Sequence, residues 1–173
     1  MKNIALTGFM GTGKTEVGRI LAKRLGYIFV DVDSEIEKKR NMKITEIFKL
    51  DGEPAFREIE EETIGAVSGG DRLVISTGGG AVMRQKNMDN LRKKGIIVCL
   101  AASAATIMHR TRGSKDRPLI NVEDPLARIK ELLAVRQPFY EQADIMVDTE
   151  SKSPVQIADE IIEEMKAYEK SNG

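Results

Sequence analysis

Eight residues near the amino end, GFMGTGKT from Gly8 to Thr15, constrain this chain more than any other stretch. They lie between an apolar run, Asn3 to Thr7, and a segment in which Val17, Ile20, Leu21 and Leu25 recur at three- and four-residue spacing until Gly26. The run reads as a buried strand, and Lys14 to Leu25 as a helix. Gly8, Gly13, Lys14 and Thr15 satisfy G-x-x-x-x-G-K-[ST], the phosphate-binding loop. Its glycines let backbone N–H groups turn inward around a phosphate, and the following helix aims its positive dipole end at the same point. Lys14 is then placed to reach the β- and γ-phosphates, and the Thr15 hydroxyl to ligate Mg²⁺. The pattern implies a site for a nucleoside triphosphate.

A strand–loop–helix unit of this kind belongs in a layered α/β fold, and the rest of the chain supplies the other strands. Apolar runs recur at Tyr27 to Val30, Arg72 to Ser76, Ile96 to Leu100 and Ile145 to Val147. Such unbroken runs indicate strands covered on both faces, as in a parallel sheet. Helical patterns separate them at Glu58 to Val67, Asn87 to Lys94, Pro125 to Arg136 and Val155 to Tyr168. The alternation predicts βαβ units with helices on both faces of the sheet. At 173 residues the chain fits one domain. Its core is expected over about 3–110 and 125–168. Residues 111–124 lack either periodicity and are long for a connection, which marks a mobile lid. The polar tail from Glu169 is expected to fray.

Charge and composition narrow the partners. Lys plus Arg and Asp plus Glu both total 27. That balance gives no overall basic field for nucleic acid or an anionic membrane. The longest apolar stretch, Gly95 to Ala105, is far short of the ~20 residues a membrane span requires. The one cysteine, Cys99, lies inside IIVCL and reads as a buried strand residue. A lone cysteine forms no internal disulfide, so a reducing, cytoplasmic setting is expected.

Several residues outside the loop suit phosphoryl transfer. Asp31 and Asp33 follow the second strand. On an extended strand end they would point to one side, toward a pocket at the strands' carboxyl ends, although Asp33 could also cap the next helix. LVISTGGG, Leu73 to Gly80, is a strand opening into three glycines, which permit close approach of backbone and ligand. That strand ends in Ser76, where a phosphate-loop enzyme commonly carries a metal-binding Asp, so Asp31 is the substitute candidate. Arg57 precedes Glu60 and Glu61 at helical spacing, and Arg136 reads as the end of a helix before Pro138. Either arginine could be a surface ion pair or a dipole partner, or could meet an anion. The lid stretch carries Arg110, Arg112, Lys115 and Arg117, cations able to close on a transferring phosphoryl group. His109 has no partner cluster for metal binding. Gly18, inside the first helix, weakens it unless the helix packs closely there.

Taken together, GFMGTGKT, DVD, DGEPAFREIE, TGGG, DRPL and the arginine of AVRQPFY resemble the shikimate kinase family, over roughly Asn3 to Met165. The resemblance implies a three-layer α/β/α P-loop kinase with a five-stranded parallel sheet in the order 2-3-1-4-5. It implies transfer of the ATP γ-phosphate to the 3-hydroxyl of shikimate, in the pathway to chorismate and the aromatic amino acids, with Mg²⁺ and as a monomer. Asp33 would bind the acceptor hydroxyls and act as base. Arg57 and Arg136 would grip the substrate carboxylate, with Gly79 and Gly80 offering backbone contacts. Gly11, Thr12, Gly13, Lys14, Thr15 and Glu16 would hold the nucleotide phosphates, and Arg117 the transferred phosphoryl. Thr15 would bind Mg²⁺, with Asp31 acting through water. Arg110 and Pro154 resemble the adenine clamp, and Phe48 and Phe56 are either walls of the acceptor site or core. Other readings are a gluconate-type kinase, a nucleoside monophosphate kinase and a non-catalytic nucleotide-binding module. No N-K-x-D motif supports a GTPase.

Overall fold

A computed structural model describes residues 2–114, 117 and 119–172. Lys115, Asp116 and Pro118, which belong to the cationic stretch and the DRPL motif, lie outside the described residues. Five strands, β1 (Asn3–Thr7), β2 (Ile28–Asp31), β3 (Leu73–Ser76), β4 (Gly95–Ala101) and β5 (Ile145–Asp148), form one sheet. Their order is β2-β3-β1-β4-β5, and every pairing is parallel. The sheet therefore has the expected 2-3-1-4-5 order.

Strand alternation divides the interior into two cores. Ile4 and Leu6 of β1 join Val74, Val98 and Val147 under α1 (Lys14–Leu25) and α7 (Pro154–Asn172), which supplies Ile157 and Ile161. Ala5 of β1 joins Ile75, Ile97 and Cys99 on the opposite face. That face is covered by α2 (Val32–Arg40), α3 (Ile44–Val67), α4 (Gln85–Lys94), α5 (Ala104–Thr111) and α6 (Pro125–Tyr140). Gly18 answers to packing. A Cβ there would stand 2.5 Å from the Phe29 ring and 3.2 Å from Leu6, so its absence lets α1 lie close on the sheet.

The elements depart from the expected ones at four places. First, α2 and α5 are helices that periodicity does not reveal. Second, α3 begins at Ile44 rather than Glu58 and is broken at Gly52, whose φ of 81° and ψ of 171° are not helical. Third, α6 runs through Pro138 to Tyr140, so Arg136 lies inside the helix instead of ending it. Proline there removes one backbone donor close to the helix end, where the freed carbonyl can be solvated. Fourth, the tail continues α7 to Asn172 instead of fraying from Glu169. The expected lid also starts inside structure, since Thr111 is the buried last residue of α5.

Candidate active site

The carboxyl ends of β1, β3 and β2 meet where the chain order reverses across the sheet, the usual place for a ligand in an open α/β fold. Gly8 turns the chain out of β1 with φ 127°, and a Cβ on it would overlap the Leu100 carbonyl of β4. Only glycine meets both conditions, so the loop's first glycine is set by sheet packing as well as by its turn. Lys14 folds back across the loop, its Nζ donating to the carbonyls of Gly8 at 2.7 Å and Phe9 at 2.9 Å. Burial lowers its pKa from 10.5 to about 8, with nearby Asp33 opposing the shift.

Two chambers open from this loop. The larger, about 590 Å³, is lined by the run Met10 to Val17 together with Asp31, Ser76, Arg110 and Pro154. The smaller, about 120 Å³, is lined by Phe48, Phe56, Arg57, Glu60, Gly80 and Arg136. Met10, Asp33, Gly78, Gly79 and Arg117 line both. Every candidate nucleotide and acceptor residue thus lines one chamber or the other, and Asp33 and Arg117, the candidates for the base and for the contact to the transferred phosphoryl, line both. Arg112 is exposed and lines neither chamber. His109 is exposed as well, and no cluster of three or more metal-ligating side chains occurs among the described residues.

Asp31 and Asp33 converge by a different route from strand alternation. Asp31 ends β2 and is itself the N-cap of α2, its carboxylate accepting from the Ser34 N–H at 3.0 Å. Asp33 is the second residue of α2, so the helix turn carries it to the same side. The other Asp31 oxygen, Oδ2, accepts from the Thr15 hydroxyl at 3.1 Å. Asp33 Oδ1 is enclosed and has no hydrogen-bond partner among the described residues. Burial, then the neighbouring Glu60 and Asp31 charges, push the Asp33 pKa from 3.8 up to about 6.

The smaller chamber is built on α3 and α6. Arg57 donates to Glu60 at 2.8 Å, one turn along α3, and to Glu53 at 3.1 Å. Glu60 is fully buried and its other oxygen, Oε1, has no hydrogen-bond partner among the described residues. Arg136 is 2% exposed, with its guanidinium 5.4 Å over the Phe9 ring and its Nε and Nη1 without acceptors among the described residues. Buried donors left unpaired are costly, so their survival here points to an anionic guest. Phe48 and Phe56 lie with centroids 4.8 Å apart and form an apolar wall. Phe56 is core and wall at once.

The three glycines of TGGG make room for side chains of the site. A Cβ on Gly78 would stand 2.7 Å from Glu60 Oε1 and 3.3 Å from Asp33 Oδ1. On Gly79 it would stand 3.3 Å from Arg136 Nη1, and on Gly80 it would overlap the Arg57 guanidinium. Gly80→Ala is therefore expected to raise the KM for the acceptor acid more than tenfold. Its Tm should stay within about 4 °C of the parent, because the displaced group is the tip of a flexible side chain. An unchanged KM would show that Arg57 is not needed where it stands.

On the nucleotide side, Arg110 donates to the Gly11 carbonyl at 3.3 Å and to the Thr149 hydroxyl and carbonyl, both at 3.0 Å. It ties α5 to the phosphate loop and to the segment leading to Pro154. Sequence reasoning overlooked Glu60 as a site residue, although its i+3 spacing from Arg57 was the signal. It also overlooked Tyr140, one helical turn beyond Arg136.

A family model described as shikimate kinase matches residues 10–166. The shikimate kinase of Thermodesulfovibrio yellowstonii is 53% identical, with 100% of this chain and 99% of that protein covered. The solved shikimate kinase of Acinetobacter baumannii, in complex with shikimate, superposes with a TM-score of 0.94 at 37% identity, covering 96% and 94% of the two chains. That of Bacteroides thetaiotaomicron gives 0.88 at 31% identity, over 95% and 98%. Two chambers sharing an acidic wall, matches over nearly the full length and superposition at this level lead to one conclusion. The chain belongs to the shikimate kinase family, enzymes that use ATP to phosphorylate shikimate.

Proposed function

We propose that this chain phosphorylates the 3-hydroxyl of shikimate at the wall between its two chambers, with ATP in the larger and the acceptor in the smaller. The observation that carries this reading is the enclosed Asp33 Oδ1, which has no partner among the described residues and belongs to a side chain that borders both chambers. In the reaction the acceptor oxygen bonds to the γ-phosphorus, the bond from γ-phosphorus to the bridging oxygen of ADP breaks, and Asp33 takes the hydroxyl proton. Lys14 leaves its loop carbonyls to meet the β- and γ-oxygens, and Arg117 offsets charge on the moving group. Arg57 and Arg136 hold the carboxylate, which two planar guanidinium forks suit. The Phe48–Phe56 wall favours a ring over an open-chain polyol acid such as gluconate.

Thr15 and Asp31 would hold Mg²⁺. They present hydroxyl and carboxylate oxygens side by side, hard donors of the kind this ion prefers, and leave the remaining positions to phosphate and water. The ion supplies charge neutralisation at the β- and γ-oxygens. Action as a monomer is part of the same reading. The buried Cys99, its thiol pushed up to about 11 by burial, suits a reducing cytoplasm.

The pH profile tests the assignment of base and cation. Asp33 must be ionised, so kcat/KM for shikimate should fall as pH drops through about 6. Lys14 must be charged in the free enzyme, so kcat/KM for ATP should fall as pH rises through about 8. An acidic limb near pH 4 would contradict the raised Asp33 pKa, and a limb near pH 6 that persists in Asp33→Asn would remove Asp33 as the base.

A further inference from the structure

Tyr140 lines neither chamber, yet its hydroxyl donates to the Gly79 carbonyl at 2.6 Å. The side chain is 3% exposed and arrives from α6, one turn after Arg136. Burial pushes its phenol up and the Arg136 charge opposes this only in part, so the donor stays protonated through neutral pH.

The peptide it holds joins two glycines. With no Cβ on either side, few clashes oppose rotation of that peptide plane. Every peptide bond among the described residues is trans, so the Gly79 carbonyl and the Gly80 N–H point in opposite directions. Drawing the carbonyl toward α6 turns the N–H away from α6. Among the described residues that N–H donates to no acceptor, and Gly80 lines the smaller chamber.

We propose that Tyr140 is a positioning residue for the acceptor: by holding the Gly79 carbonyl, it fixes the Gly80 N–H as a donor to an oxygen of the bound acid. The proposal rests on the smaller chamber being the acceptor site. It explains why a tyrosine stands in the helix that carries Arg136. One helix then places both the guanidinium that meets the acid and the hydroxyl that orients a backbone donor.

Tyr140→Phe removes one oxygen and keeps the ring. In the ligand-free protein, ¹⁵N relaxation dispersion should show millisecond exchange at Gly79 and Gly80 in the variant and none in the parent. The KM for shikimate should rise about tenfold, the loss of roughly one hydrogen bond, with the KM for ATP unchanged within twofold. Quiet Gly79 and Gly80 amides, or both KM values moving together with a fall in Tm, would overturn the proposal. The ligand-free comparison still decides the role of Tyr140 if the parent fails to turn over shikimate, a result that would instead sink the acceptor reading. Should the variant not fold, 3-fluorotyrosine can be placed at all three tyrosines of the parent chain. The Tyr140 ¹⁹F resonance should then shift on adding shikimate and not on adding ADP. A resonance that ignores shikimate would overturn the proposal.

Discussion

Asp33→Asn is expected to lower turnover of shikimate by two to four orders of magnitude, the usual worth of a positioned general base, while ATP binds within about twofold of the parent. The same change should stabilise the fold at neutral pH. Burial and two neighbouring carboxylates raise the Asp33 pKa to about 6, so the folded chain holds this proton more tightly than the unfolded one. The stability linked to that proton is fully present below about pH 4 and is lost as pH rises through 6. Above that range an uncharged amide avoids the cost of a buried charge, and Tm should rise by about 2–4 °C at pH 7.5. The gain should vanish below pH 4. Calorimetry at the two pH values, with a turnover assay beside it, checks both halves. Near-parental turnover would remove Asp33 from the chemistry. Unchanged Tm would show that its charge is not strained in the free enzyme.

Arg136→Met should raise the KM for shikimate by about a hundredfold or more, since truncating one partner of a buried charge pair costs about 2–5 kcal/mol. The loss should fall on the acceptor alone. Arg136 is buried with two of its nitrogens lacking acceptors among the described residues, so the ligand-free enzyme carries an under-solvated cation. Replacing such a group by an apolar chain of similar reach is often neutral or stabilising, and Tm should hold or rise. A fall in Tm with unchanged KM would mean that the arginine serves the core. Isothermal titration with shikimate and with its methyl ester separates the cases, because the ester should bind the parent and the variant about equally.

How far the chain could be read without coordinates varied by element. β1 and α1 were legible to the residue, because a five-residue apolar run, a glycine loop and a regular helical stripe ending at Gly26 all agree. By contrast, α2 buries only Val32 and Ile36 among nine residues, too few to show a period against its charges. The first half of α3 was hidden by Gly52 and Pro54, which mark a real kink rather than the end of the helix. In α6, Pro138 read as a stop, whereas the helix continues for two residues beyond it and buries Tyr140. Strand order came from family resemblance. Apolar runs identify buried strands but do not say which lie side by side.

The site divided in the same way. Lys14 and Thr15 are tied to a local motif, so sequence alone carries them. Asp33, Arg57 and Arg136 come together only through the fold, since α2, α3 and α6 converge beside the TGGG turn. Taken singly, each arginine had an ordinary surface reading. What separates them from surface charges is burial and, in Arg136, two donors without acceptors among the described residues, which only packing reveals. The same holds for Glu60, which looks like a helix-surface partner of Arg57 and is fully buried.

The most direct test of the account is acceptor-dependent release of ADP, measured with Mg-ATP and shikimate, gluconate, AMP or no acceptor in parallel. Turnover with shikimate alone is the predicted result. It would place phosphoryl transfer at the shared wall and make Arg57 and Arg136 the next residues to vary. Tight ATP binding with no acceptor-dependent turnover would contradict the account, leaving a phosphate-binding loop without the acceptor chemistry assigned to Asp33.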